Sequence, residues 1–207
     1  MFSLILTQTI KLAFRKGGGA LGTLAFYIII FTLFAFALSP EAMREYALAV
    51  FTVALVLASV TAQPLVFEQD YDDGMLEQYI LKVPALELVV LAKLLGQWVV
   101  QLLPILFTLP LLSIMAGLPN TQTMDVILRM ALLSPSIAAI GVLTAAFTLG
   151  SRRGGLLPAL IMLPLLMPLV IFASATSGAG AILLLAAAAL ASVPLCCYVS
   201  AVVLRMA

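Results

Sequence analysis

The chain has 207 residues, of which 64% are hydrophobic and 9% charged, at a net charge of +1. Globular domains run at about 45–50% apolar and about 25% charged, so a water-soluble fold would expose most of the surplus, and the bilayer is the solvent that suits it. Near-neutral charge without a basic tract excludes nucleic acid as a partner, and the absence of histidine removes the commonest metal ligand and general base.

The first residues predict an amphipathic helix over 1–16. Ser3, Thr7, Lys11 and Arg15 recur every four residues with Gln8 beside them, against a remainder of Phe2, Leu4, Ile5, Leu6, Ile10, Leu12 and Phe14. Such a helix lies in the headgroup plane with its basic edge towards the phosphates. Gly17, Gly18 and Gly19 then break it and turn the chain into the bilayer. Ala35-Phe36-Ala37 imitates a signal-peptide cleavage site, but the apolar stretch is long and its charges come late.

Six runs are apolar over about the 20 residues a spanning helix needs: 20–38, 46–66, 89–118, 130–149, 156–172 and 181–204. Backbone groups in lipid must bond within their own segment, which makes these runs helices and the fold all-α. If the N-terminus is inside, eight of the ten basic residues fall on the cytoplasmic side: Lys11, Arg15, Lys16, Lys82, Lys93, Arg152, Arg153 and Arg205. Arg44 and Arg129 stay outside. Both termini are therefore expected in the cytoplasm. Lys93 and Arg129, near opposite membrane surfaces, have stems long enough to snorkel. Ion pumps need carboxylates or bases at membrane depth, and these spans offer almost none. The most notable polar pair there is Gln97 and Gln101, beside Trp98 on the third span; bonding between helices is the plain reading, and lining a cavity or dimer interface the functional one. Pro158, Pro164 and Pro168 are expected to bend or loosen the fifth span. Cys196 and Cys197, adjacent in an apolar run, read as small buried residues.

One polar island stands between the second and third spans. It runs from Glu68 to Glu87 and holds six of the nine acids. Phe67, Tyr71, Met75, Tyr79 and Val83 recur every four residues, the mark of one apolar ridge on a helix, and Pro84 ends it. A short cytoplasmic amphipathic helix is predicted over 68–83, interrupted at Gly74. An acidic face on solvent is the plain reading. A docking surface for a soluble partner with a basic and apolar groove is the functional one.

Other patterns fail on context. Gly17-Gly18-Gly19-Ala20-Leu21-Gly22 has the spacing of a dinucleotide fingerprint, but no strand precedes it and a span follows. No P-loop occurs, so the chain does not bind ATP through one. Asp70, Asp72, Asp73 and Gly74 miss the calcium-loop spacing, because the glycine comes one position early and no glutamate stands eleven residues after Asp70. No acid–base pair, metal set or nucleophile elbow is present, so no catalytic and no metal residues are assigned.

The stretch Phe67-Glu68-Gln69-Asp70-Tyr71-Asp72-Asp73-Gly74-Met75-Leu76-Glu77-Gln78 resembles the first cytoplasmic loop of the CcmB family, the haem exporter protein B of cytochrome c maturation. Leu91-Ala92-Lys93 through Trp98, Arg152-Arg153-Gly154-Gly155, Leu163-Pro164-Leu165 and Pro168-Leu169-Val170-Ile171-Phe172-Ala173 extend the likeness over essentially the whole chain. At Gln97 the family often carries histidine.

The resemblance implies an ABC-2 type subunit of six spans in the bacterial inner membrane, forming a homodimer within its complex. Its implied partners are a CcmA-like ATPase, a haem-handling membrane protein like CcmC, a small membrane protein like CcmD and a haem chaperone like CcmE. ATP then belongs to the partner subunit and haem is cargo, with no cofactor held directly. The resemblance also makes 68–83 the coupling helix that seats in the ATPase, through Glu68, Asp70, Asp72, Asp73, Gly74, Leu76, Glu77, Gln78 and Tyr79, and makes the N-terminal interfacial helix a lateral connector. The expected function is a non-catalytic permease subunit that couples ATP hydrolysis to haem export, or to release of the haem-loaded chaperone. An ABC-2 permease for another cargo, such as a drug, lipid or polysaccharide, is the alternative. A stand-alone secondary transporter lacks its inverted repeat, and an intramembrane lipid enzyme lacks its acid–base set.

Overall fold

The computed structural model describes residues 6–7, 9–10, 18–61, 65–82, 85–149, 156–175 and 179–206, and every regular element among them is a helix. Most of the interfacial helix expected over 1–16 lies outside these residues, as does Arg152-Arg153-Gly154-Gly155. In chain order the elements are α1 (Gly18–Ala37), α2 (Pro40–Glu45), α3 (Ala47–Val60), α4 (Leu65–Asp72), α5 (Met75–Lys82), α6 (Leu86–Gln97), a π turn (Trp98–Leu102), α7 (Leu103–Met115), α8 (Asn120–Thr148), α9 (Leu156–Ser174) and α10 (Ala179–Met206).

Four of these stretches are long and apolar enough to cross a membrane: Leu86–Met115, Asn120–Thr148, Leu157–Ser174 and Gly180–Met206. Two apolar helices are shorter by that measure, Leu21–Ala37 and Ala47–Val60. The chain is thus a multi-pass membrane protein. The second expected span, 46–66, stops early as a helix at Val60. There the Ser59 and Thr61 hydroxyls turn back onto the carbonyls of Val56 and Ala58. Of the break expected at Gly17–Gly19, Gly18 and Gly19 lie inside the first turn of α1, and Gly17 lies outside the described residues.

The α8 helix is the axis of the bundle, packed against α10, α9, α3, α7 and α6. Its buried stretch contains Ser134, Ser136, Ala138, Ala139, Gly141, Ala145 and Ala146. Lipid gives helices no hydrophobic reason to associate, so small residues that let backbones approach are what hold such a bundle. The Ser192 hydroxyl of α10 reaches the Ser136 hydroxyl at 3.2 Å. Between α1 and α3, the Phe31 and Phe51 rings meet with centroids 5.0 Å apart.

This axis begins at Asn120, not at Met130 as the sequence suggested. Arg129 had marked the edge of the membrane because an arginine at the end of an apolar run reads as a snorkelling group. It is 3% exposed instead. Its Nε lies 3.0 Å from both Asp125 carboxylate oxygens, and its Nη1 donates to the Ala175 carbonyl at 2.6 Å. Once neutralised by an acid one turn earlier, the guanidinium can sit inside, and the helix runs on past it. The α9 helix likewise continues unbroken through Pro158, Pro164 and Pro168. Pro158 stands in its first turn, where a missing N–H is no loss.

The links between elements define two ends. At one, the proximal end, α4 and α5 sit beside the start of α6, and Arg205 near the end of α10 faces Glu87 at 3.5 Å. At the other, the distal end, α2 lies near the turn after α7. There Gly117, at φ +69°, closes the helix: its N–H bonds the Ile114 carbonyl and the Leu118 N–H reaches back to Ser113.

Candidate functional site

The polar island folds as two short helices, α4 and α5, rather than one. Gly74 adopts φ +67°, a conformation that disfavours any side chain, and its N–H bonds the Tyr71 carbonyl. The interruption expected at Gly74 is there. Its consequence is that the four-residue ridge does not run as one line. Phe67 is buried, but Tyr71 is 52% exposed, and Met75 and Tyr79 are half-buried. The inward set is instead Val66, Phe67, Asp70 and Leu76. Asp72, Asp73, Glu77 and Gln78 are exposed, and Gly74 is half-buried between them. The Glu68 side chain is outside the described ones.

Asp70 is the acid that leaves the solvent-facing set. Its carboxylate forms an ion pair with Nζ of Lys93, on α6, and the two side chains are 11% and 7% exposed. Lys93 Nζ also donates to the Val66 carbonyl at 3.3 Å, so one ammonium binds both a side chain and the backbone of α4. Lys93 therefore does not snorkel, contrary to the sequence reading. Two charges removed from water remain stable only as a pair with further hydrogen bonds around them, and here the ion pair is joined by the one bond from Lys93 to the Val66 carbonyl. One signal pointed here: Asp70 stands three residues after the buried Phe67, on the same helix face. Its partner, on the third span, was not legible. Burial, with the Asp70 carboxylate as second cause, raises the Tyr79 phenol above its usual value, so it stays a neutral hydroxyl in the neutral range.

One turn beyond Lys93 on α6, a Cβ added at Gly96 would lie 2.7 Å from Thr9 Cγ2 and 3.9 Å from Leu6 Cδ1. The N-terminal segment thus rests on the third span, and glycine is what lets it approach. Next comes the π turn, where the Leu103 N–H bonds the Trp98 carbonyl five residues back. Pro104 explains it. Without an N–H, and with a ring that crowds the carbonyl four residues earlier, proline needs a wider turn before it. Gln97 is buried, Trp98 and Gln101 are half-buried, and the Trp98 indole Nε1 donates to Ser134 Oγ of α8 at 2.9 Å. The α6–α7 span is therefore held from three sides around one irregular turn: by α4 at Lys93, by the N-terminal segment at Gly96, and by α8 at Trp98.

The family model for the CcmB protein matches residues 1–207. The chain belongs to the CcmB family. Among its curated relatives, heme exporter protein B of Pseudomonas aeruginosa is 36% identical over 176 residues, covering 84% of this chain and 79% of the relative. Heme exporter protein B of Paracoccus denitrificans is 32% identical over 212 residues, covering 98% and 97%. That of Escherichia coli K12 is 32% identical over 181 residues, covering 86% and 82%. Membership agrees with the resemblance carried by Phe67–Gln78. Within this CcmB chain, no group of three or more His, Cys, Asp or Glu side chains that could hold a metal occurs among the described residues.

Proposed function

We propose that the chain is the non-catalytic membrane subunit of an ABC-type haem export system for cytochrome c maturation, and that α4 and α5 receive force from a partner ATPase. The observation that carries this reading is the exposed acidic edge of Asp72, Asp73 and Glu77, with the polar Gln78 beside it, mounted on a helix pair that Asp70 ties to a membrane span through α4. A charged edge steers and orients a soluble partner of opposite charge, and a buried tie makes that edge a handle on the membrane domain. Haem is the cargo of the assembly, ATP is bound by the partner, and the further partners expected are a haem-handling membrane protein, a small membrane protein and a haem chaperone.

Six spans fit this reading. The α1 helix has 20 residues. The α2 and α3 helices, of six and fourteen residues, join through Tyr46, whose N–H bonds Ala42 and whose carbonyl accepts from Val50. At about 1.5 Å per residue α1 covers roughly the 30 Å of hydrocarbon and α3 about 21 Å of it, with Glu41, Arg44 and Glu45 of α2 left at the membrane surface. The proximal end then faces the cytoplasm, in keeping with the excess of basic residues on that side, and the membrane is the bacterial inner membrane. The test is reversal of charge at Asp72, Asp73 and Glu77 together. Loss of the ATPase subunit from the purified complex is expected; an intact complex with normal ATP turnover would remove the docking claim.

A further inference from the structure

We propose that Asp70 and Lys93 are the joint through which movement of α4 enters the third span, and that the π turn at Trp98–Leu102 is the hinge on which the Leu86–Gln97 half of that span swings. This rests on the reading of α4 and α5 as the ATPase docking site.

The reasoning starts from what can slide. The α4 helix packs on α8 and α5 on α6, with Val66, Phe67 and Leu76 buried, and apolar burial of this kind is non-directional. The Asp70–Lys93 pair is directional and desolvated. Separating it would leave two charges buried and alone, reducing the population of such a state by about 10²- to 10³-fold. A displacement of α4 must therefore take Lys93 with it. The Lys93 bond to the Val66 carbonyl adds a second line of force from the same helix. Among the described residues, the other ion pair at the start of α6 is Glu87 with Arg205, which meet at 3.5 Å with side chains 37% and 49% exposed, an arrangement that contributes little.

Beyond Lys93 the span changes character within one turn. Its regular ladder gives way to the five-residue bond from Leu103 to Trp98, and π turns of this kind are common where helices do functional work. Trp98 is anchored to α8 by its indole N–H, so the helix has a driven part ending near Gly96 and a fixed point immediately after it. The N-terminal segment rests on the driven part at Gly96 and would travel with it. Asp70 and Lys93 thus act as positioning residues: buried against each other, they set where the driven half of the span stands.

The experiment uses the complete complex in vesicles with its ATPase, and reads three quantities: ATPase subunit retained, ATP turnover, and haem exported per ATP hydrolysed. Asp70→Asn and Lys93→Met are each expected to retain the ATPase and to hydrolyse ATP within about twofold of the unaltered complex, while export per ATP falls at least tenfold. Lys93→Arg is expected to stay within about threefold, and the exchange Asp70→Lys with Lys93→Asp to recover at least a third of the coupling. Unchanged export per ATP in both single variants would overturn the joint. So would loss of the ATPase from Asp70→Asn alone, because it would make Asp70 a docking residue. If the single variants fail to accumulate in the membrane, the exchange and Lys93→Arg decide, and failure of both to couple overturns the proposal. Retention of the ATPase after charge reversal at Asp72, Asp73 and Glu77 would sink the docking reading instead, a separate result.

Discussion

Trp98 of the π turn donates its indole N–H to Ser134 of α8 at 2.9 Å, and Ser134 in turn donates to the Ala131 carbonyl one turn back in its own helix. The two partners are not equivalent. Trp98→Phe leaves Ser134 still bonded, whereas Ser134→Ala leaves an indole N–H inside the bundle with nothing to receive it. The expected loss is about 1 kcal/mol for the first, beyond the change in ring size, and about 1–3 kcal/mol for the second. Because Trp98 is the single tryptophan of the chain, its fluorescence reports the bond directly. Ser134→Ala should move the emission to shorter wavelength, and an unmoved spectrum would mean the bond does not form.

Arg129 is expected to tolerate no substitution well. Arg129→Met removes the charge that neutralises Asp125 and the donor that holds Ala175; because Asp125 is 35% exposed, the cost in detergent unfolding is about 1–2 kcal/mol. Arg129→Lys keeps the charge, yet a single ammonium lacks the planar fork that serves Asp125 through Nε and Ala175 through Nη1. About half of the stability should therefore remain lost. Equal stability of Lys and Arg at this position would show that only charge matters there.

Two glycines give opposite expectations. At Gly117 the backbone is left-handed, and a Cβ would lie 3.1 Å from Arg44 Nη2. The arginine tip can yield, but the backbone strain cannot, so Gly117→Ala should destabilise by about 1 kcal/mol. Gly22 lies within α1 with open space around it, so Gly22→Ala should stabilise by about 0.5–1 kcal/mol. Thermal midpoints in one detergent compare them, and the same sign for both would contradict the geometry.

Gly96→Val should displace the N-terminal segment without unfolding the bundle, because the obstacle is Thr9 and not a core helix. A cysteine placed at Thr9 is expected to react with a membrane-impermeant thiol reagent several times faster in the Gly96→Val background. Equal labelling would place Thr9 away from the third span.

Charge decided how far the sequence could be read. The apolar runs, the break at Gly74 and the exposure of Asp72, Asp73 and Glu77 were all legible, because each follows from local properties: hydropathy over one helix length, a residue without a side chain in a helical pattern, acids on the polar side of a short helix. Asp70, Lys93 and Arg129 were misjudged for one shared reason. An isolated charge belongs at the membrane surface, and only a partner makes burial tolerable. For Asp70 that partner is Lys93 on another helix, and for Arg129 part of it is a carbonyl beyond the end of α9. The π turn before Pro104 has a local cause in proline, but its extent is set by packing.

The amino-acid order alone determined that this chain dissolves in a bilayer as helices, and that one acidic segment remains outside. That follows because unbroken apolar runs of about 20 residues satisfy their backbone in lipid as helices, whereas the strands of a closed barrel are shorter and alternate in hydropathy. Which charges lie on the surface and which are locked between helices was settled only when α4, α6, α8 and α9 came together, since the energy of a buried charge depends on what stands a few ångströms away and not on its neighbours in the chain.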